Sequence, residues 1–281
     1  MKKLLSIFMT LAIMAVVASP ALAASTYYQG FETDITGWET PARVASGTNG
    51  ITSATGLWHA EATTDFTRWG GYNYGAGSGV ATVFQEYTTS VDIYLNVKGS
   101  WANNTRFDFS SAINNSAGTH LSDFIFNAGF YNDGTGPGAN TDRFVISAST
   151  NSQPGSAYAK NPGFNPIAIY TSGWYTFEHH FYDNEGVLNV DMSIYDSSHN
   201  LVKTWTRVSS PITAVGGNRY GWFDFNEFST LAFDNSQLYL AVPTSMDQCK
   251  KDGWMTFNNP TFKNQGACVS YVQSNDHAGK K

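Results

Sequence analysis

Charge is scarce in this sequence. Of 281 residues only 14% are Asp, Glu, Lys or Arg, and 16 basic side chains face 22 acidic ones, for a formal net charge of −6. No cluster of Lys and Arg interrupts that balance, so phosphate backbones are repelled and a nucleic-acid partner is excluded. Cysteine is nearly absent too, with Cys249 and Cys268 the only two. A metal site built on these two thiols would lack further ligands at a recognisable spacing. After residue 17 no apolar run approaches the roughly 20 residues of a membrane-spanning helix. The nucleophile-elbow pattern G-x-S-x-G does not occur. Among six histidines, His179 and His180 are adjacent on an expected strand and so face opposite sides, while His59, His120, His199 and His277 stand alone. No capped amphipathic helix is expected beyond the N-terminal segment.

What is present begins with an address. Lys2 and Lys3 precede an apolar run from Leu4 to Val17, and small residues Ala21 and Ala23 follow at the positions a signal peptidase reads. Residues 1–23 are expected to be a signal peptide, which makes the remainder an exported protein, extracellular or periplasmic. No Cys stands immediately after the cut, so a lipid anchor is not expected. Loss of the two lysines takes the net charge to about −8. Aromatic residues at 15% together with 26 glycines suit an extracellular β protein, in which rings pack pleated surfaces and glycines serve turns.

Period-two alternation dominates the interior. Leu188, Val190, Met192 and Ile194 alternate with Asn189, Asp191, Ser193 and Tyr195, and Ser197-Ser198-His199-Asn200 separates them from a second run, Leu201 to Arg207. These two read as an antiparallel hairpin. Similar runs lie at Val91–Val97, Arg106–Ser110, Phe124–Phe130, Phe144–Ala148 and Tyr175–Phe181, divided by breaks such as Asn132–Asn140 and Ser149–Pro166. Many short strands with regular turn signals indicate an all-β antiparallel β-sandwich or jelly roll. Trp38, Trp174 and Trp205 are expected in its core.

Two short motifs bracket the strands: Phe31-Glu32 with Gly37-Trp38 near the start, and Phe233-Asp234-Asn235 with Leu238-Tyr239-Leu240 near the end. They predict that the first and last strands lie side by side. At Pro243-Thr244-Ser245 the alternation stops, which divides the exported chain into a sandwich of residues 24–242 and an appendage of 243–281. Export makes a Cys249–Cys268 disulfide the first reading, worth about 3 kcal/mol on the chain-entropy account.

Gly173-Trp174-Tyr175-Thr176-Phe177, Gly216-Gly217-Asn218-Arg219-Tyr220-Gly221-Trp222 and Leu231-Ala232-Phe233-Asp234-Asn235 together resemble secreted bacterial proteins with a concanavalin A-like or laminin G-like sandwich. The resemblance spans roughly residues 27–241. Asp247-Gln248-Cys249-Lys250, Gly253-Trp254 and Phe262-Lys263-Asn264-Gln265-Gly266 before Cys268-Val269 resemble a short C-terminal cassette carried by varied exported bacterial proteins. Neither resemblance implies an activity.

Two enzyme chemistries and a binding function are carried by sandwiches of this kind. Glucanases of the concanavalin A-like class carry E-x-D-x-x-E, placing nucleophile and acid about 5.5 Å apart. Glu32-Thr33-Asp34 begins that pattern, but Gly37 stands where the third carboxylate belongs. Asp224 with Glu227, and Glu178 with Asp183, have no supporting pattern. Jelly-roll polysaccharide lyases carry a strand motif that Ala128-Gly129-Phe130-Tyr131-Asn132 resembles, which implies Tyr131 as proton donor and acceptor with Arg106 and His180 as partners; Asn127 replaces the lysine of that motif, and its other strand motifs are missing. Glycan binding without chemistry requires only an aromatic platform and a few planar polar groups. Its candidates are Arg68, Trp69, Tyr72, Trp101, Arg106, Asp108, Asn218, Arg219 and Trp222. Strand parity turns Arg106 and Asp108 away from the core if Phe107 and Phe109 face it. A matrix or adhesive component is the remaining alternative. Finally, the bracket resembles β-sandwich carbohydrate-binding modules that hold a structural calcium, which implies Glu32 and Asp234 as ligands. The loop with Asp133, Asn140 and Asp142 is a weaker candidate for the same ion.

Overall fold

A computed structural model describes residues 27–63, 67–69, 84–115, 117–152, 158–243, 245–257 and 262–278. The expected signal peptide, residues 1–23, lies outside them. Among the described residues fifteen strands follow in chain order: β1 (Tyr27–Gln29), β2 (Trp38–Glu39), β3 (Ala42–Ala45), β4 (Trp58–Ala62), β5 (Thr67–Trp69), β6 (Tyr87–Leu95), β7 (Thr105–Asn115), β8 (His120–Tyr131), β9 (Arg143–Thr150), β10 (Ile167–Ile169), β11 (Gly173–Asn184), β12 (Val187–Asp196), β13 (Leu201–Pro211), β14 (Val215–Asp224) and β15 (Leu231–Leu240). They form two antiparallel sheets. The eight-stranded sheet runs β13-β12-β11-β6-β15-β4-β3, with β1 also on β15, and the seven-stranded sheet runs β10-β9-β8-β7-β14-β5-β2. This is the antiparallel sandwich that the alternation predicts, including the β12–β13 hairpin.

The bracket closes as expected, because β1 pairs with β15 from Tyr27↔Leu238 to Gln29↔Ser236. Phe31 and Phe233 meet edge to face at 5.2 Å, and Trp38 packs on Phe233 at 4.6 Å. Gly37 turns the chain between them at φ +91°, and a Cβ there would come within 2.5 Å of the Tyr27 hydroxyl. Phenylalanines fill the space between the sheets: Phe107 and Phe126 on one side face Phe177 on the other. Trp38 and Trp205 are buried as expected, whereas Trp174 is only half-buried.

After β15 the chain builds a second, small core around the Cys249–Cys268 disulfide, with Phe257 and Val272 buried against it. Here the structure corrects the sequence reading, since Gln265–Ala278 forms an α-helix, α1. Asn264 caps it, its Oδ1 accepting the Ala267 N–H at 2.8 Å. The helix escapes pattern reading because its buried positions, Cys268 and Val272, are few and an early Gly266 interrupts it. No helix among the described residues is long and apolar enough to cross a membrane.

Candidate functional site

The sandwich has two outward faces, and the residues singled out by sequence are divided between them. On the seven-stranded sheet, strand register places Ser147, Asn127, Asp108 and Asp224 in one transverse row across β9, β8, β7 and β14. Arg106 stands one step along, opposite Gly129, and Trp222 lies opposite Arg68, which is itself opposite Glu39. All share the parity opposite to core residues Phe107, Phe109, Phe126 and Phe223. Asp108 accepts a hydrogen bond from Asn127 Nδ2 at 3.0 Å, and Asn127 Oδ1 accepts one from Ser149 at 2.7 Å. Asp108 is only 6% exposed, and burial pushes its carboxyl up to about 7.

Several of the expected binding groups are already engaged. Arg68 forms an ion pair with Glu39 at 2.8 Å. Trp222 is 7% exposed, too little to offer a platform. Trp101 stacks edge to face on Phe228 at 5.0 Å and donates its Nε1–H to the Asn96 carbonyl. Arg106 is half-buried, and its backbone N–H donates to Glu227. Tyr72 lies outside the described residues. Trp69, Asn218 and Arg219 are described by their backbone alone: Trp69 pairs with Trp38 and Gly221, Asn218 pairs with Ile113, and Arg219 falls in the register shift beyond it.

The lyase constellation is split. Tyr131 and Arg106 share the outer face of the seven-stranded sheet, but His180 lies on β11, next to core-facing His179, and points outward from the other sheet to Glu86 at 2.7 Å. Tyr131 is also fully buried beneath Lys160, whose Nζ sits 4.3 Å from the ring centroid. Burial holds its hydroxyl above the usual phenol range, so it is poorly placed to exchange protons with a polymer.

The two carboxylates expected to hold calcium meet backbone N–H donors. Glu32 accepts the N–H groups of Leu57 and Trp58, and Asp234 accepts those of Thr55 and Asn235. Both carboxylates therefore anchor the loop between β3 and β4 through N–H donors. Asp133 is held by Lys160 at 2.6 Å and Arg143 at 3.2 Å, which supply the positive charge that its loop needs. Among the described residues no group of three or more His, Cys, Asp or Glu is placed to hold a metal.

A different site emerges on the eight-stranded sheet. The ladder between β15 and β6 breaks between Asp234 and Gln237, and within that bulge Asn235 adopts a left-handed conformation, φ 48°. The break carries the Asn235 carboxamide to Asp92, to whose Oδ2 its Nδ2 donates at 2.8 Å. Thr176 on β11 donates to Asp92 Oδ1 at 2.5 Å. Thr55 and Tyr28 hydroxyls both donate to Asn235 Oδ1 at 2.8 Å. Above this network opens a crevice of about 210 Å³, walled by Trp174, by Thr55 and by the β12–β13 turn with Asp196 and His199. Trp174 donates its Nε1–H to the Thr52 carbonyl at 2.8 Å, which fixes the indole while leaving it half-exposed. His199 lies flat on Tyr195, ring centroids 4.7 Å apart. Beneath the floor Asp234 is fully buried, and burial raises its carboxyl to about 7 with the Asp92 charge adding to the effect. Sequence reading misses this crevice because its residues come from five separated segments. The one local signal is a polar Asp-Asn pair inside an otherwise strand-like run.

With this geometry the protein is defined as an antiparallel β-sandwich bearing a half-enclosed polar crevice beside an indole. No known protein family matches the sequence, and no curated protein matches it. Among solved structures it is similar to the CBM2 module of the evolved Dit of Lactobacillus casei phage J-1, at 10% identity and a TM-score of 0.39, over 79% of this chain and 98% of that one. It is also similar to an alginate lyase from Alteromonas sp. 272, at 8% identity and a TM-score of 0.27, over 77% and 94% of the two chains. At these scores neither likeness carries an argument about what this chain does.

Proposed function

We propose that this is an exported, non-catalytic glycan-binding protein, and that the crevice on the eight-stranded sheet receives one sugar ring. The observation behind this reading is the Thr176–Asp92–Asn235–Thr55 network lying under a half-exposed Trp174. A pyranose presents hydroxyls on its edges and C–H groups on its faces. Planar carboxylate and carboxamide groups bind the first, and an indole covers the second. The side chains are fixed by one another before any ligand arrives, which lowers the ordering cost of binding. A crevice of this size lies below the usual range for drug-sized ligands, about 300–1,000 Å³, and suits a single ring. Export is supported by the N-terminal apolar segment and by the disulfide.

A glycan array followed by calorimetry tests the reading. The secreted protein is expected to retain one or more glycans, and Trp174→Ala or Asp92→Ala to lose at least tenfold in affinity while melting as a folded protein. Retention that is unaffected by both substitutions would remove the crevice from consideration.

A further inference from the structure

Behind the β15 bulge, between the two sheets, lies a small, partly closed cavity of about 10 Å³. Trp38, Ser111 and Gly221 line it from the seven-stranded sheet, and Thr89, Ser236 and Gln237 from the eight-stranded sheet. Three of these side chains carry a buried polar atom without a protein hydrogen-bond partner: Trp38 Nε1, Thr89 Oγ1 and Ser111 Oγ. Buried polar atoms are nearly always satisfied, so three orphaned atoms on side chains that line one space call for a shared partner. Their chemistry is complementary to one molecule. An indole N–H can only donate, while each hydroxyl can donate or accept. The volume matches the space that a single water needs, and internal waters make about three hydrogen bonds.

We propose that this cavity is a structural water site, in which one water accepts from Trp38 Nε1–H and bonds the Thr89 and Ser111 hydroxyls. The water joins the sheets at the place where the β15 ladder is broken, and so supports from inside the bulge that presents Asn235 outside. The site stands whether or not the crevice binds a sugar.

Two measurements on the unmodified protein test it. In ¹⁵N-labelled protein the Trp38 indole proton, assigned through Trp38→Phe, is expected to show a cross-peak to a long-lived water. A crystal structure is expected to show one ordered water within hydrogen-bond distance of all three atoms, which separates a true water contact from exchange relayed through a hydroxyl. Replacing Ser111 by Val fills the space and is expected to abolish the cross-peak. A wild-type crystal structure with no density in the cavity overturns the proposal, as does a cross-peak that persists undiminished in Ser111→Val.

Discussion

Asp108 offers a sharp test of the electrostatics. Its carboxyl lies on the outer face of the seven-stranded sheet, yet burial raises it to about 7; the hydrogen bond from Asn127 and the charge of Arg106 oppose the shift, and the charge of Asp224 adds to it. An acid whose folded pKa exceeds its unfolded value binds a proton in the folded state that the unfolded chain has already released. Between about pH 4 and pH 7 stability therefore falls as pH rises, by at most about 1.4 kcal/mol per unit. Over three units the ceiling is about 4 kcal/mol, and residual solvation reduces the expectation to about half of that. Asp108→Asn removes the titration while its Oδ1 can still accept from Asn127. Relative to wild type the variant is expected to gain about 2 kcal/mol on going from pH 4 to pH 8. Other groups titrate in this window. Asp234 acts in the same direction, whereas burial lowers His179 to about 3, so that its contribution is lost as pH falls below 6.5. Both are common to the two proteins and cancel in the difference. Urea unfolding followed by tryptophan fluorescence at half-unit pH steps measures it. A difference that stays flat from pH 4 to 8 would refute the buried, proton-holding Asp108.

Tyr131→Phe removes a buried hydroxyl that meets Tyr158 and is expected to cost no more than about 1 kcal/mol in urea unfolding; a loss above about 2 kcal/mol would reveal a bond absent from this arrangement. Cys249→Ser with Cys268→Ser opens a loop of sequence separation 19 and is expected to cost the appendage about 3 kcal/mol, seen as protease cleavage within 245–278, while the melting midpoint of the sandwich holds. A parallel fall of that midpoint would show one folding unit. EDTA is expected to leave the midpoint unchanged, since N–H donors and basic side chains already satisfy Glu32, Asp234 and Asp133; a calcium-dependent rise would contradict that assignment.

The sandwich was legible because its signals are local. Alternation in β12, the polar turn at Ser197–Asn200 and the phenylalanines of the bracket each follow from backbone geometry within a few residues. The site was not, because function here depends on which face a residue occupies after the sheets fold. Parity correctly turned Arg106 and Asp108 outward from β7, but only the three-dimensional register shows that His180 leaves the sandwich by the opposite face. The Trp174 reading failed for a related reason. Its size and strand context pointed to the core, yet it stands at the parity opposite to Phe177 and Phe181, near the strand end, and edges Tyr94 and His59.

The bulge in β15 is the feature that a purely structural strand would have least reason to keep. It breaks ladder bonds to β6 and holds a non-glycine residue in a left-handed conformation, which costs about 1–3 kcal/mol. Glycine at this position would remove the backbone strain, and it would also remove the carboxamide that joins Asp92 to Thr55 and Tyr28. Asn235→Gly therefore separates the two demands. If the residue serves the scaffold, the lost hydrogen bonds dominate and the melting midpoint drops steeply. If it serves the crevice, relief of strain offsets much of that loss, stability stays within about 2 kcal/mol of wild type, and glycan retention disappears. A stable variant that still binds would show that Asn235 is neither a structural necessity nor a ligand contact.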